Sequence, residues 1–137
     1  MKYFLFLLIP LFIFAGNDNI KVTNAWFRLV SEGMTTGLFF TVENTGDKPD
    51  TLYNISSNIS DELEIHETYS KGNDQMGMRQ VDFIVIPAKS TFEFKPRSFH
   101  VMVFEVKKDM PEGSEGEFTL YFKRAGKIKI IAVSKEV

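Results

Sequence analysis

Glu117-Phe118-Thr119-Leu120-Tyr121-Phe122, followed four residues later by Lys127-Ile128-Lys129-Ile130-Ile131-Ala132-Val133, is the passage whose reading decides the fold. Phe118, Leu120 and Phe122 stand two apart, and Ile128 and Ile130 alternate with Lys127 and Lys129. A period of two puts one set of side chains on one face of an extended chain and the other set on the opposite face, which is the signature of a half-buried strand. Phe92 and Phe94 repeat the pattern upstream. Working outward, further strands are predicted over residues 22–29, 38–43, 51–55, 62–68, 78–86, 91–94 and 99–106. They are separated by turn chemistry at Ser31-Glu32-Gly33, Asn44-Thr45-Gly46-Asp47-Lys48-Pro49, Lys71-Gly72-Asn73-Asp74 and Pro87-Ala88-Lys89-Ser90. No window shows a 3.6-residue period. Short strands at near-regular spacing predict an all-β sandwich or barrel of Greek-key type.

At 137 residues, with 44% hydrophobic and 25% charged residues, the chain suits one folded domain, expected over residues 17–137. A formal net charge of -2 leaves no basic footprint for nucleic acid. Residues 1–16 hold Lys2 and then a run from Tyr3 to Ala15 without a charge, as a signal peptide does, and too short for a comfortable membrane span. The expectation is export, with the leader either cleaved or kept as an N-terminal membrane anchor. The chain contains no cysteine, which excludes disulfides, thiolate metal sites, cysteine nucleophiles and lipidation at a cysteine after the leader.

Both histidines of the chain, His66 and His100, fall between residues 64 and 102, together with three of its six methionines, Met76, Met78 and Met102. Imidazole and thioether donors without thiolate suit Cu(I), whereas Mg, Ca and Mn prefer oxygen and structural Zn usually recruits cysteine. His100 and Met102 lie two apart in a predicted strand and share a face. His66 is expected near a strand end before the turn at residues 69–74, and Met78 opens the strand after it. Four ligands from three segments would then meet near the rim of a sheet. The plainer reading makes His100 a hydrogen-bonded strand histidine and Met102 core filler. The protein would then be an exported β-sandwich that binds another protein through an exposed edge. That no histidine is left over favours the metal site. Glu64 and Glu67 flank His66 and are read as a solvated edge. With no Ser/His/Asp order and no Gly-rich phosphate loop, an enzyme is not expected.

The spacing of His66, eleven residues, Met78, twenty-one residues, His100, one residue, Met102 resembles the signature of the periplasmic PCu(A)C-type copper chaperones. Ala25-Trp26-Phe27-Arg28, Glu64-Ile65-His66-Glu67, Met78-Arg79-Gln80-Val81, Ile86-Pro87-Ala88 and Phe122 with Ala125-Gly126 are similar to the family as well. The resemblance implies a cupredoxin-like Greek-key β-sandwich in the periplasm. It would bind Cu(I) through His66, Met78, His100 and Met102 and deliver it to the copper-site subunit of cytochrome c oxidase or another copper-accepting protein. Two positions depart from the family: Glu67 stands where some members carry a further Met, and Arg97-Ser98-Phe99 precedes His100 where Gly is common. His100 and Met102 are expected to anchor the ion, and Met78, on the more mobile turn, to leave first.

Overall fold

The computed structural model describes residues 19–137, so the leader expected at residues 1–16 lies outside the described residues. Ten strands follow in order: β1 Ile20–Arg28, β2 Thr36–Asn44, β3 Asp50–Ser57, β4 Glu62–Gly72, β5 Gln75–Val81, β6 Ile84–Ile86, β7 Ser90–Phe94, β8 Phe99–Phe104, β9 Glu115–Phe122 and β10 Gly126–Lys135. No helix occurs among the described residues. The strands join in the order β5-β4-β8-β2-β1-β10-β9-β3-β6, with β7 laid against the second half of β2. Only the β1–β10 pairing is parallel. The open sheet folds over one apolar interior, in the all-β class expected. Phe27, Phe40, Phe94, Phe118 and Phe122 are each at most 2% exposed there. Phe40 stacks on Phe94 with ring centroids 4.3 Å apart, and Phe27 meets Phe118 edge-on at 6.0 Å. Each such pair adds about 1 kcal/mol beyond its buried area. The alternation in β9 is seen directly, since Phe118, Leu120 and Phe122 are buried while Thr119 and Tyr121 are half-buried.

Two features of the backbone differ from the expected pattern. The single strand expected over residues 78–86 is two strands: β5 pairs with β4 at one end of the sheet and β6 with β3 at the other, so Asp82 and Phe83 must carry the chain between them. The turn after β4 is also tighter than expected. Asn73 and Asp74 both have positive φ, 51° and 59°, as a two-residue hairpin of the right-handed sheet twist requires. β4 therefore runs to Gly72 and β5 starts at Gln75. His66 sits inside a strand rather than at its end, and Met78 in a strand rather than on a turn.

A bulge in β1 sets which aromatic faces the site. Thr23 pairs with Thr41 and Trp26 with Phe39, so β1 has one residue more than β2 in this interval, and Asn24 takes φ 55°. An extra residue reverses the alternation beyond it. Val22 packs toward the core before the bulge, Phe27 after it, and Trp26 is turned to the outer face.

Candidate metal centre

Residues directly opposite in antiparallel strands project from the same side of the sheet. His66 is opposite both His100 on β8 and Gln80 on β5, while Glu64 is opposite Met102 and Thr68 is opposite Met78. His66, Met78, His100 and Met102 therefore share one face of three neighbouring strands. The other face of the same strands carries Ile65, Val101 and Val103, each at most 5% exposed in the core. Beyond Met102 lies Gly37 on β2, and then Phe39 under Trp26, ring centroids 4.5 Å apart. A Cβ on Gly37 would stand 3.0 Å from Phe39 Cζ, so the missing side chain lets the Phe39 ring lie across β2 as a wall of the site.

A groove of about 400 Å³ opens on this face, lined by Met78, His100, Met102, Thr68, Gly37 and Phe39 among others. His66 does not line it. Its ring lies alongside that of His100, centroids 6.0 Å apart, and its side chain is 15% exposed. Two imidazoles that each hold one ion at about 2 Å have centroids about 5–6 Å apart, so this separation is compatible with a shared ion.

The hydrogen bonds of the two rings define which nitrogen each can offer. His100 Nδ1 lies 2.9 Å from the Ser98 carbonyl, which can only accept, so Nδ1 carries the proton and Nε2 keeps its lone pair. The same carbonyl accepts from the Thr68 N–H at 3.1 Å, which fixes it in place. His66 Nε2 donates to Glu64 Oε2 at 2.8 Å. That leaves His66 Nδ1 as a lone pair, buried and with no hydrogen-bond partner in the protein. A buried acceptor without a partner costs about 1–3 kcal/mol, so His66 Nδ1 is a lone pair open to a ligand. Among the described residues no three His, Asp or Glu side chains come together as a metal ion would need. Two imidazoles and two thioethers on one face make a donor set that suits a soft metal.

Glu64 is the residue that sequence reasoning misjudged. It stands on the groove side and orients His66, while Glu67 projects from the opposite face to Arg79 Nη2 at 2.9 Å, with the Arg79 guanidinium over Tyr69 at 4.5 Å. The signal was present, because Glu64-Ile65-His66 has the same two-residue spacing as His100-Val101-Met102. Met76 shares the face of Met78, opposite Ser70, but does not line the groove. Met78 is 54% exposed and hydrogen-bonded into the edge strand.

Fold and register define a β-sandwich that carries two histidines and two methionines on one outer face of its sheet. The family described as "Putative lipoprotein LpqE-like" matches residues 20–133, and the chain belongs to it. This is a PCuAC-type family, in agreement with the sequence resemblance. The copper-bound PCuAC domain from PmoF2 superposes with a TM-score of 0.73 at 28% identity, covering 87% of this chain and 94% of that one. Relatives include "Putative lipoprotein Lxx21020" of Leifsonia xyli subsp. xyli, 30% identical over 77% of this chain and 63% of its own length. Another is "Uncharacterized protein RP573" of Rickettsia prowazekii, 37% identical over 64% of this chain and 48% of its own length. The chain thus spans about half to two thirds of the curated relatives it matches.

Proposed function

We propose that the protein is an extracytoplasmic copper chaperone that binds one Cu(I) through His66 Nδ1, His100 Nε2 and the sulfurs of Met78 and Met102. The observation that carries this is the shared face of the four side chains, with a buried, unpartnered His66 Nδ1 beside His100. The likeness to a copper-bound domain at 28% identity supports it. Two neutral imidazoles and two neutral thioethers leave the complex at the ion's own charge, so a half-buried site favours Cu(I) over Cu(II) on both charge and softness. A carrier must release its cargo. Thioethers are weaker donors than thiolates, so an acceptor site containing thiolate draws the ion downhill without an energy source. The dinuclear copper site of cytochrome c oxidase is the proposed acceptor, and the protein is proposed to act as a carrier and not an enzyme. The family's description as lipoprotein accords with an exported, membrane-associated protein. Residues 1–16 are proposed to direct export, as a leader that is cleaved or kept as a membrane anchor.

Anaerobic Cu(I) titration against a competing chelator tests the reading, with X-ray absorption to count sulfur and nitrogen neighbours. Tight one-to-one binding with two sulfurs and two nitrogens, lost in His100→Ala, is expected. Weak binding unaffected by that substitution would leave an exported interaction module.

A further inference from the structure

Resting on the carrier reading, we propose that the mouth of the groove is a docking surface for an acidic protein, the partner that takes the copper. The chain as a whole is net negative, -2. The residues lining the groove nevertheless include Arg28 and Arg97 and no Asp or Glu. Neither guanidinium joins any of the ion pairs formed among the described residues. Arg28 lies over the Phe39 ring at 5.9 Å, and the Lys135 ammonium lies over Trp26 at 5.8 Å, so the cationic border continues across the aromatic wall.

Arg97 is placed there against backbone preference. Ser98 N–H donates to the Lys95 carbonyl at 3.2 Å, closing a turn with Pro96 and Arg97 at its centre, and Arg97 has φ 65°. Glycine is the favoured residue at such a position. The turn leaves Arg97 exposed beside the groove, in none of the ion pairs formed among the described residues. These cations do not serve the cargo, because copper is itself a cation and like charges repel. They serve something anionic that approaches the groove. Leu29 and Met78, exposed by 42% and 54%, line the same groove. Arginine, methionine and aromatic side chains are the composition of protein interface centres. The occupant is therefore a protein surface with carboxylates bordering its own copper site, steered by charge and seated on apolar contacts.

The test uses the copper-loaded protein and the copper-free soluble domain of cytochrome c oxidase subunit II, mixed anaerobically in a stopped-flow instrument. Raising salt from about 10 mM to about 1 M shortens the screening length from about 30 Å to about 3 Å. The transfer rate is expected to fall about tenfold or more over that range. Arg28→Gln with Arg97→Gln should transfer about tenfold more slowly at low salt and lose most of the salt dependence. Arg28→Lys with Arg97→Lys should retain both, and Cu(I) affinity should stay within about twofold in all of them, since neither arginine is a ligand. A wild-type rate indifferent to salt, or a Gln pair as fast as wild type, overturns the proposal. So does a salt-indifferent protein transfer accompanied by faster extraction by anionic bathocuproine disulfonate than by uncharged neocuproine, which would assign the arginines to a small anionic carrier. Failure of the carrier reading is distinct: the protein then takes up no copper in the titration, and both proposals fall before any rate is measured.

Discussion

Met78→Leu separates the metal site from the fold with little ambiguity. The side chain is 54% exposed on edge strand β5, and leucine nearly preserves its volume while removing the sulfur. The empty protein should therefore keep its stability to within about 0.5 kcal/mol. Copper binding should not survive so well. Loss of a partner one shell away from a metal costs 10–100-fold in affinity, so loss of a direct ligand should cost at least about 10-fold, or about 1.4 kcal/mol. Because a bound ion stabilises the native state in proportion to the logarithm of its affinity, the loaded variant should melt about 5 °C below loaded wild type, while the two empty proteins melt together. Thermal melts under a fixed free Cu(I) set by chelator read both numbers in one experiment. Comparing transfer rates with Met102→Leu then tests the order of release. Met102 is half-buried on β8 between Glu64 and Gly37, so exposure, not a mobile turn, is the reason to expect Met78 to leave first. Equal melting of the two loaded proteins, with an unchanged sulfur count by X-ray absorption, would refute the assignment of Met78. If Met76 replaces it, the double variant Met76→Leu/Met78→Leu should lose the sulfur that the single variant keeps.

Glu64→Gln keeps the shape of the residue beside His66 but lets the ring reorient, and should lower Cu(I) affinity about 10-fold with the melt of the empty protein nearly unchanged, read by chelator competition. Gly37→Ala should cost about 1–3 kcal/mol, because its methyl meets the Phe39 ring at 3.0 Å; the emission of Trp26, the chain's one tryptophan, should shift as the stacked pair moves. Phe118→Ala, at a fully buried position, should cost about 3–5 kcal/mol in denaturant unfolding. Asp50→Ala removes the carboxylate that accepts from the N–H groups of Thr51, Arg124 and Ala125 at 2.8, 2.8 and 2.9 Å, and should cost about 1–3 kcal/mol by the same assay.

The strands were legible where one face is buried, since a period of two in residues 117–122 survives any tertiary arrangement. What depends on a partner strand was not. The reversal at Asn24 arises because β1 must match β2 with one residue in excess, and nothing in Thr23-Asn24-Ala25-Trp26 alone announces it. The break at Asp82-Phe83 likewise reflects that β4 and β3, the partners of β5 and β6, stand near opposite ends of the sheet, which a continuous apolar-rich run does not reveal. For the candidate site, the shared face of His100 and Met102 follows from spacing. That His66 joins it depends on the register between β4 and β8, a long-range fact. Glu64 is obscure for a different reason: a charged residue beside a histidine is usually solvated, although its two-residue spacing places it on the ring's side.

On β8, neighbouring residues face opposite ways: His100 and Met102 toward the groove, Val101 and Val103 into the phenylalanine interior. The candidate site and the scaffold are thereby insulated from each other. For the proposed carrier, emptying the groove would remove nothing from the packed interior, so the protein would stay folded after giving up an ion, unlike a zinc finger, for which giving up the metal means coming apart.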